Sequence, residues 1–288
     1  MNKILVTGGA GLVGSNLCET LAKNPNNDVY SLDNYFTGTK DNHVQGVTYI
    51  EGSTEDIEAL ITFIPDIIYH LGEYSRVEQS FDDIDLVWKM NRNGIISVLN
   101  FVRKHECKIV YAGSSTKFGD DGAGRNASPY AWSKASNTEL VKNYGDWFGI
   151  SYAITYFYNV YGNREIKNGK YATLIALFQQ KYLASENLTV VKPGTQLRNF
   201  THVDDIINGL ILVGEKGSGD GYGIGNPEAY SILEIANMFG REIQFIPERS
   251  GNRLTAEVVT SKTEILGWRA KHSIVDYINN WKNKADIG

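Results

Sequence analysis

Tyr130 and Lys134 stand four residues apart in Tyr130-Ala131-Trp132-Ser133-Lys134, inside a stretch patterned as a helix. About one helical turn separates them, so phenol and ammonium project from the same face. An ammonium beside a phenol favours the phenolate, and a phenolate takes a proton from a nearby hydroxyl near neutral pH. Ser114, just past the apolar run Lys108–Ala112, adds a hydroxyl upstream. Y-x-x-x-K alone is common in helices. It gains meaning from a second motif.

That motif is Thr7-Gly8-Gly9-Ala10-Gly11-Leu12-Val13-Gly14, which follows the first apolar run and opens an amphipathic one. Gly8, Gly11 and Gly14 have the spacing of a dinucleotide loop. The first permits a tight turn, the second lets backbone approach a pyrophosphate, and the third lets helix and strand pack closely. The helix N-terminus then offers free N–H groups and partial positive charge to the phosphates. Asp33 follows at the end of the second apolar run, at the distance where a carboxylate accepts from the adenosine ribose hydroxyls. The same carboxylate repels a 2′-phosphate, and Asn34-Tyr35-Phe36-Thr37-Gly38 supplies no arginine to receive one. NAD is the expected cofactor.

These residues need a scaffold, and the first half of the chain alternates short apolar runs with amphipathic ones, the pattern of a parallel sheet covered by helices. Expected strands are Lys3–Thr7, Val29–Asp33, Thr48–Glu51, Ile67–Leu71, Lys108–Ala112 and Ser151–Phe157; expected helices are Leu12–Ala22, Asp56–Phe63, Phe81–Lys104 and Tyr130–Phe148. After about Asn159 the character shifts to short strands (Leu188–Val191, Gly221–Ile224), polar loops and short helices (Val203–Gly214, Ile232–Phe239, Ile274–Trp281). The fold class is α/β: a Rossmann-type doubly wound parallel sheet over residues 1–160, and a smaller C-terminal α/β substrate lobe over 161–288, with some chain crossing back.

Composition narrows the partners. The 288 residues carry a net charge of −5, with 42% hydrophobic and 21% charged residues. A general nucleic-acid footprint needs clustered lysine and arginine, which this chain lacks. An anionic ligand must meet helix N-termini and individual arginines instead. Cys18 and Cys107 are far apart, outside metal-ligand spacing, and read as reduced buried thiols; no metal site is expected. Met1-Asn2-Lys3-Ile4-Leu5 runs directly into a strand, and no apolar run reaches the roughly 18 residues of a membrane span, so the cytoplasm is the expected location. His70 ends an apolar strand and reads as structural, and Trp132 and Trp147 read as packing residues.

Together these motifs resemble the extended short-chain dehydrogenase/reductase family, in particular its NAD-dependent sugar-nucleotide 4-epimerases, over nearly the whole chain. The resemblance further rests on His70-Leu71-Gly72, Asn91-x-x-Gly94, Ser114–Gly119 and Tyr158-Asn159-Val160-Tyr161-Gly162. In the second half it includes Arg198–Asp205, Arg249-Ser250-Gly251-Asn252 and Leu266-Gly267-Trp268. It implies that Ser114 hydrogen-bonds the reacting sugar oxygen, Tyr130 is the base and Lys134 holds the nicotinamide ribose. Leu12 and Val13 would lie against the pyrophosphate. Asn34, Ser53, Thr54, Leu71, Gly72, Ser75 and Asn91 would line the cofactor, and Tyr158 would border the nicotinamide. Asn159, Arg198 and Arg249 would hold the diphosphate of a nucleoside-diphosphate sugar. The family further implies a homodimer built from Phe81–Lys104 and Tyr130–Phe148.

The chain departs from the family pattern in places. Gly52-Ser53-Thr54 lacks the usual adenine-side carboxylate, Gly72 replaces an alanine and is followed by an unusual Glu73, and Ser75 stands where 4-epimerases often carry lysine. Asp120–Ser128 is short, and Arg249-Ser250-Gly251-Asn252 loses an acceptor. Ser115 and Thr116 stand where dehydratases and decarboxylases of the family carry acids, which argues against both. The expected reaction is 4-epimerisation through a transient 4-keto sugar. A nucleotide-sugar dehydrogenase, a keto-sugar epimerase/reductase and a non-catalytic NAD-binding regulatory protein are the alternatives.

Overall fold

Strands buried on both faces need continuous apolar runs, and Ile4-Leu5-Val6 and Ile109-Val110-Tyr111 are such runs, all buried in the protein. The computed structural model describes residues 1–118, 124–248 and 257–287. Seven strands form one sheet: β1 (Asn2–Thr7), β2 (Asn27–Asp33), β3 (Val47–Glu51), β4 (Ile67–His70), β5 (Lys108–Ser114), β6 (Tyr152–Phe157) and β7 (Gly219–Ile224). All pair in parallel in the order β7-β6-β5-β4-β1-β2-β3. Strand order reverses between β1 and β4, and that switch point opens a crevice at the carboxyl ends of the strands.

Leu12–Ala22 and Val203–Lys216 cover one face of the sheet, and Gly94–His105 and Pro129–Phe148 the other. The Gly221–Ile224 run, read from sequence alongside the C-terminal lobe, is the edge of the main sheet. The rest of the second half closes around Phe178, Ile235, Phe239 and Ile278. Three small strand pairs brace it: Val160–Tyr161 with Thr201–His202, Leu188–Val191 with Ile243–Ile246, and Leu197–Asn199 with Ala229–Ser231.

Two expected helices differ from the sequence reading. Asp56–Phe63 contracts to a 3-10 turn, Thr54–Asp56, and one α turn, Ile57–Leu60; Ile61 is already extended. Pro65 disfavours helix at the residue before it and cannot donate to the turn. Phe81–Lys104 is interrupted: α-helix starts at Ile84, passes through a π turn at Trp88–Asn93 and resumes over Gly94–His105. The π turn lets Asn91 face inward, where it is wholly buried and bonds the backbone of Tyr74 and the hydroxyl of Ser133. Trp132 and Trp147, read as packing residues, do pack, Trp132 against Trp88 and Trp147 against Tyr144 and Phe148. They are 43% and 62% exposed, on a helix face that no other element of the chain covers fully. Both cysteines are buried and unpaired with one another. Among the described residues no helix is long and apolar enough to cross a membrane.

Candidate active site

The crevice is a cavity of about 660 Å³ that runs from the glycine loop, past the ends of β4 and β5, to the C-terminal lobe. At one end, Gly11 caps the first helix with extended backbone and no side-chain cap, leaving the first-turn N–H groups for a ligand. Gly14 is obligatory there, because a Cβ would lie 2.1 Å from Gly8 O. Gly8 has φ +73°, and its own Cβ would strike the backbone of Gly72. A Cβ at Gly72 would lie 3.0 Å from Gly8 N and 3.1 Å from the Thr7 side chain, a close fit. Leu12 and Val13 line the same end.

Asp33 ends β2 on the cavity wall and is almost fully buried. Its Oδ2 accepts from Ala10 N (2.8 Å) and its Oδ1 from Tyr35 N (2.7 Å), so the carboxylate is fixed with lone pairs to spare. Burial pushes its carboxyl above the ordinary range, and the two N–H donors pull it partly back. Asn34, Ser53 and Thr54 line the wall beside it. Ser53 accepts from Glu55 N and so caps the following turn.

At the other end, Ser114 is the last residue of β5. Ser128 caps the next helix by accepting from Ala131 N, with Pro129 at the first helical position. This cap with a leading proline fixes the first turn, and Tyr130 lies in that turn. Tyr130 Oη donates to Ser114 Oγ at 3.1 Å, and Thr116 Oγ1 donates to the same oxygen at 2.9 Å. Ser114 Oγ is also met by Thr116 N at 3.3 Å, so three groups share this one oxygen. Lys134, one turn on, is buried and donates to Ala112 O and to Glu73.

Glu73, odd in sequence and inside the Leu71–Ser75 segment that the resemblance sets along the cofactor, lines the cavity. Its side chain is 3% exposed. Oε2 accepts from Lys134 and from Tyr111 Oη (3.0 Å), and Oε1 accepts from Asn137 Nδ2 (3.1 Å) and faces His70 Nε2 at 3.7 Å. Burial alone would push its carboxyl up, but the Lys134 ammonium and the His70 contact outweigh burial, and the net direction is down. His70 itself is fully buried, as its place at the end of a strand suggests. Thr7 Oγ1 accepts from Leu71 N and Gly72 N, so it donates its proton to His70 Nδ1 (2.8 Å). The ring proton is thereby assigned to Nε2, which has no partner within hydrogen-bond distance and points toward Glu73.

The cavity brings together Gly8, Gly11, Leu12, Val13, Gly14, Asp33, Asn34, Ser53 and Thr54 at the loop end. Leu71, Gly72, Ser75, Ser114, Tyr130, Lys134, Asn159 and Arg198 follow along its wall. Two expected cofactor residues are not on that wall. Asn91 lies behind it, its amide taken up by Tyr74 and Ser133. Tyr158 is fully buried in the core, with its hydroxyl accepting from Val259 N, while Phe157, Asn159 and Val160 around it line the cavity where β6 has ended. Arg249 lies outside the described residues. Asn159 takes positive φ and its amide holds Asn199 O.

Sequence reasoning missed Arg76 and Glu165, both on the wall. Arg76 donates to Tyr171 O and to Ser75, and burial holds its guanidinium below the ordinary arginine range. Glu165 accepts from Gly162 N and Thr173 Oγ1; burial keeps its carboxyl above the ordinary range. Neither belongs to a spaced motif. The one signal in sequence was a charge close to an identified motif in each case.

A family model for the NAD-dependent epimerase/dehydratase family matches residues 4–225. The chain belongs to that family. Among its relatives, UDP-glucuronic acid decarboxylase 6 of Arabidopsis thaliana is 30% identical over 93% of this chain and 84% of its own. The UDP-glucose 4-epimerase of Thermus thermophilus, solved with NAD, superposes with a TM-score of 0.88 at 25% identity, covering 97% of this chain and 99% of that one. The UDP-glucuronic acid 4-epimerase of Bacillus cereus, solved with NAD and UDP-4-deoxy-4-fluoro-glucuronic acid, gives 0.89 at 25% identity and 99% of both chains. As in the family, the cofactor is NAD, and the cavity fits it: a glycine cradle that a Cβ would fill, open N–H groups, and a buried acceptor at Asp33.

Proposed function

We propose that the chain is an NAD-dependent 4-epimerase of a nucleoside-diphosphate sugar. The observation that carries this reading is the hydroxyl cluster at the end of β5. Tyr130 and Ser114 meet at 3.1 Å, and the neighbouring Thr116 contributes a hydroxyl where elimination or decarboxylation chemistry would call for an acid. NAD, when bound, supplies the hydride acceptor and donor. Tyr130 takes the proton of the sugar 4-hydroxyl and later returns it. Ser114 orients the sugar oxygen, and Lys134, fixed by Glu73 and Ala112 O, would hold the nicotinamide ribose. Asn159, Arg198 and Arg249 serve the diphosphate; paired guanidinium contacts suit such a group.

The test is incubation with a panel of nucleotide sugars, followed by mass spectrometry and proton NMR. Epimerisation leaves mass unchanged and inverts one sugar carbon. A product lighter by water or by carbon dioxide refutes the reading in favour of dehydration or decarboxylation. Stoichiometric NADH release refutes it in favour of a one-way dehydrogenase.

A further inference from the structure

The Glu73–Lys134 pair raises a question that stability does not answer. A buried ion pair of this kind rarely adds stability over an apolar pair, because both charges lose their water. Here one partner is the lysine of the catalytic group, and both line the cavity. The carboxylate is held by Lys134, Tyr111 and Asn137 and faced by His70, whose Nδ1 is bonded to Thr7. Every neighbour is a donor, so Glu73 stays an anion. Lys134 uses two of its three N–H donors on Glu73 and Ala112 O and keeps one for the cavity. The pair sets one anion beside one cation, and the other charged residues on the cavity wall are Asp33, Arg76, Glu78, Glu165 and Arg198.

On the proposed role of Tyr130, the proton leaves the sugar hydroxyl and the hydride leaves the carbon that bears it, so a bound nicotinamide would be held near Tyr130 and Lys134. The oxidised ring is cationic and the reduced ring is neutral. A lone ammonium nearby would repel only the oxidised ring. We propose that Glu73 is a positioning residue that acts electrostatically, anchoring Lys134 and offsetting its charge near the nicotinamide, so that the oxidised and reduced cofactor are held with more nearly equal affinity. This inference concerns NAD binding and stands apart from which sugar reaction the enzyme performs.

The test compares dissociation constants of NAD and NADH, measured by calorimetry on the apo protein at neutral pH, for wild type and three variants. Glu73→Gln leaves Lys134 uncompensated, and the ratio Kd(NAD)/Kd(NADH) should rise roughly tenfold, the order expected of one unit charge at several ångströms in a partly buried site. Lys134→Gln leaves Glu73 uncompensated, and the ratio should fall by a similar factor. The double variant should return it to near the wild-type value. A purely structural role would weaken both cofactor forms together. Single variants that leave the ratio unchanged, or that move it in the same direction, overturn the proposal. Should Glu73→Gln not fold, a Lys134→Gln ratio at or above wild type overturns it alone.

Discussion

Tyr130 reaches Ser114 across 16 residues of sequence, phenol to hydroxyl at 3.1 Å, at the point where a helix N-terminus meets the end of a central strand. Tyr130→Phe deletes only the proton-transfer group and leaves the ring to pack. Turnover should drop roughly a hundred- to ten-thousandfold, the usual worth of a general base, with NAD affinity and thermal midpoint close to wild type. Calorimetry and a turnover assay on the identified substrate check this; near-normal turnover would remove Tyr130 from the mechanism.

We propose that Asp33, on the cavity wall, sets the cofactor preference. Titration of the apo protein should give NAD tighter than NADP, and Asp33→Asn should narrow the gap. Because burial raises this carboxyl, it takes up a proton at a higher pH than an ordinary carboxylate does. Ribose hydroxyls donate to the ionised form, so NAD affinity should fall as pH is lowered through that raised range. Asp33→Asn should flatten this dependence. An unchanged pH dependence in the variant would assign it to another group.

Arg198 lines the cavity in the half of the chain that closes over it. Arg198→Ala should weaken sugar-nucleotide binding by about one to two decades, equivalent to roughly 1.5–3 kcal/mol for a charged hydrogen bond. NAD affinity should hold. If NAD binding falls and sugar-nucleotide binding does not, Arg198 serves the cofactor instead.

Exposed Phe81, Ile84, Trp132, Trp147 and Phe148 lie on or beside the two long helices of one sheet face. The family resemblance pairs such helices across a twofold axis, and we expect a homodimer in solution. Light scattering at micromolar concentration should give twice the 32.1 kDa chain mass. Trp147→Lys should shift the protein toward monomer. A wild-type monomer mass would refute the dimer.

Much of this site was legible in sequence because the chemistry sits in contiguous motifs. The glycine loop, Asp33 and the Tyr130/Lys134 turn all depend on spacing within one strand–helix junction or one helix, where local geometry decides the outcome. Residues whose role depends on a distant partner were not legible. Glu73 gains its meaning from Lys134, 61 positions away, and from Tyr111 and Asn137. Asn91 and Tyr158 carry motif-like neighbours, yet Asn91 lies in a π turn behind the cavity wall and Tyr158 is buried in the core. Trp132 and Trp147 read as packing residues, but how much of each stays open was not legible, because apolar periodicity cannot separate a face covered within the chain from one left open.

The edge strand Gly219–Ile224 gives the chain a threading with practical weight. Exchanging the substrate lobe between relatives, to graft a new sugar preference, takes two separate pieces, residues 161–202 and 225–287. The helix and strand of 203–224 stay behind with the nucleotide half. For a chain emerging from the ribosome, the glycine loop and the catalytic trio are all out by residue 160. The sheet that carries them still presents the open flank of β6 to any strand nearby. That flank is sealed only once residue 224 has been made, so the interval between is when the nascent protein most needs protection from its neighbours.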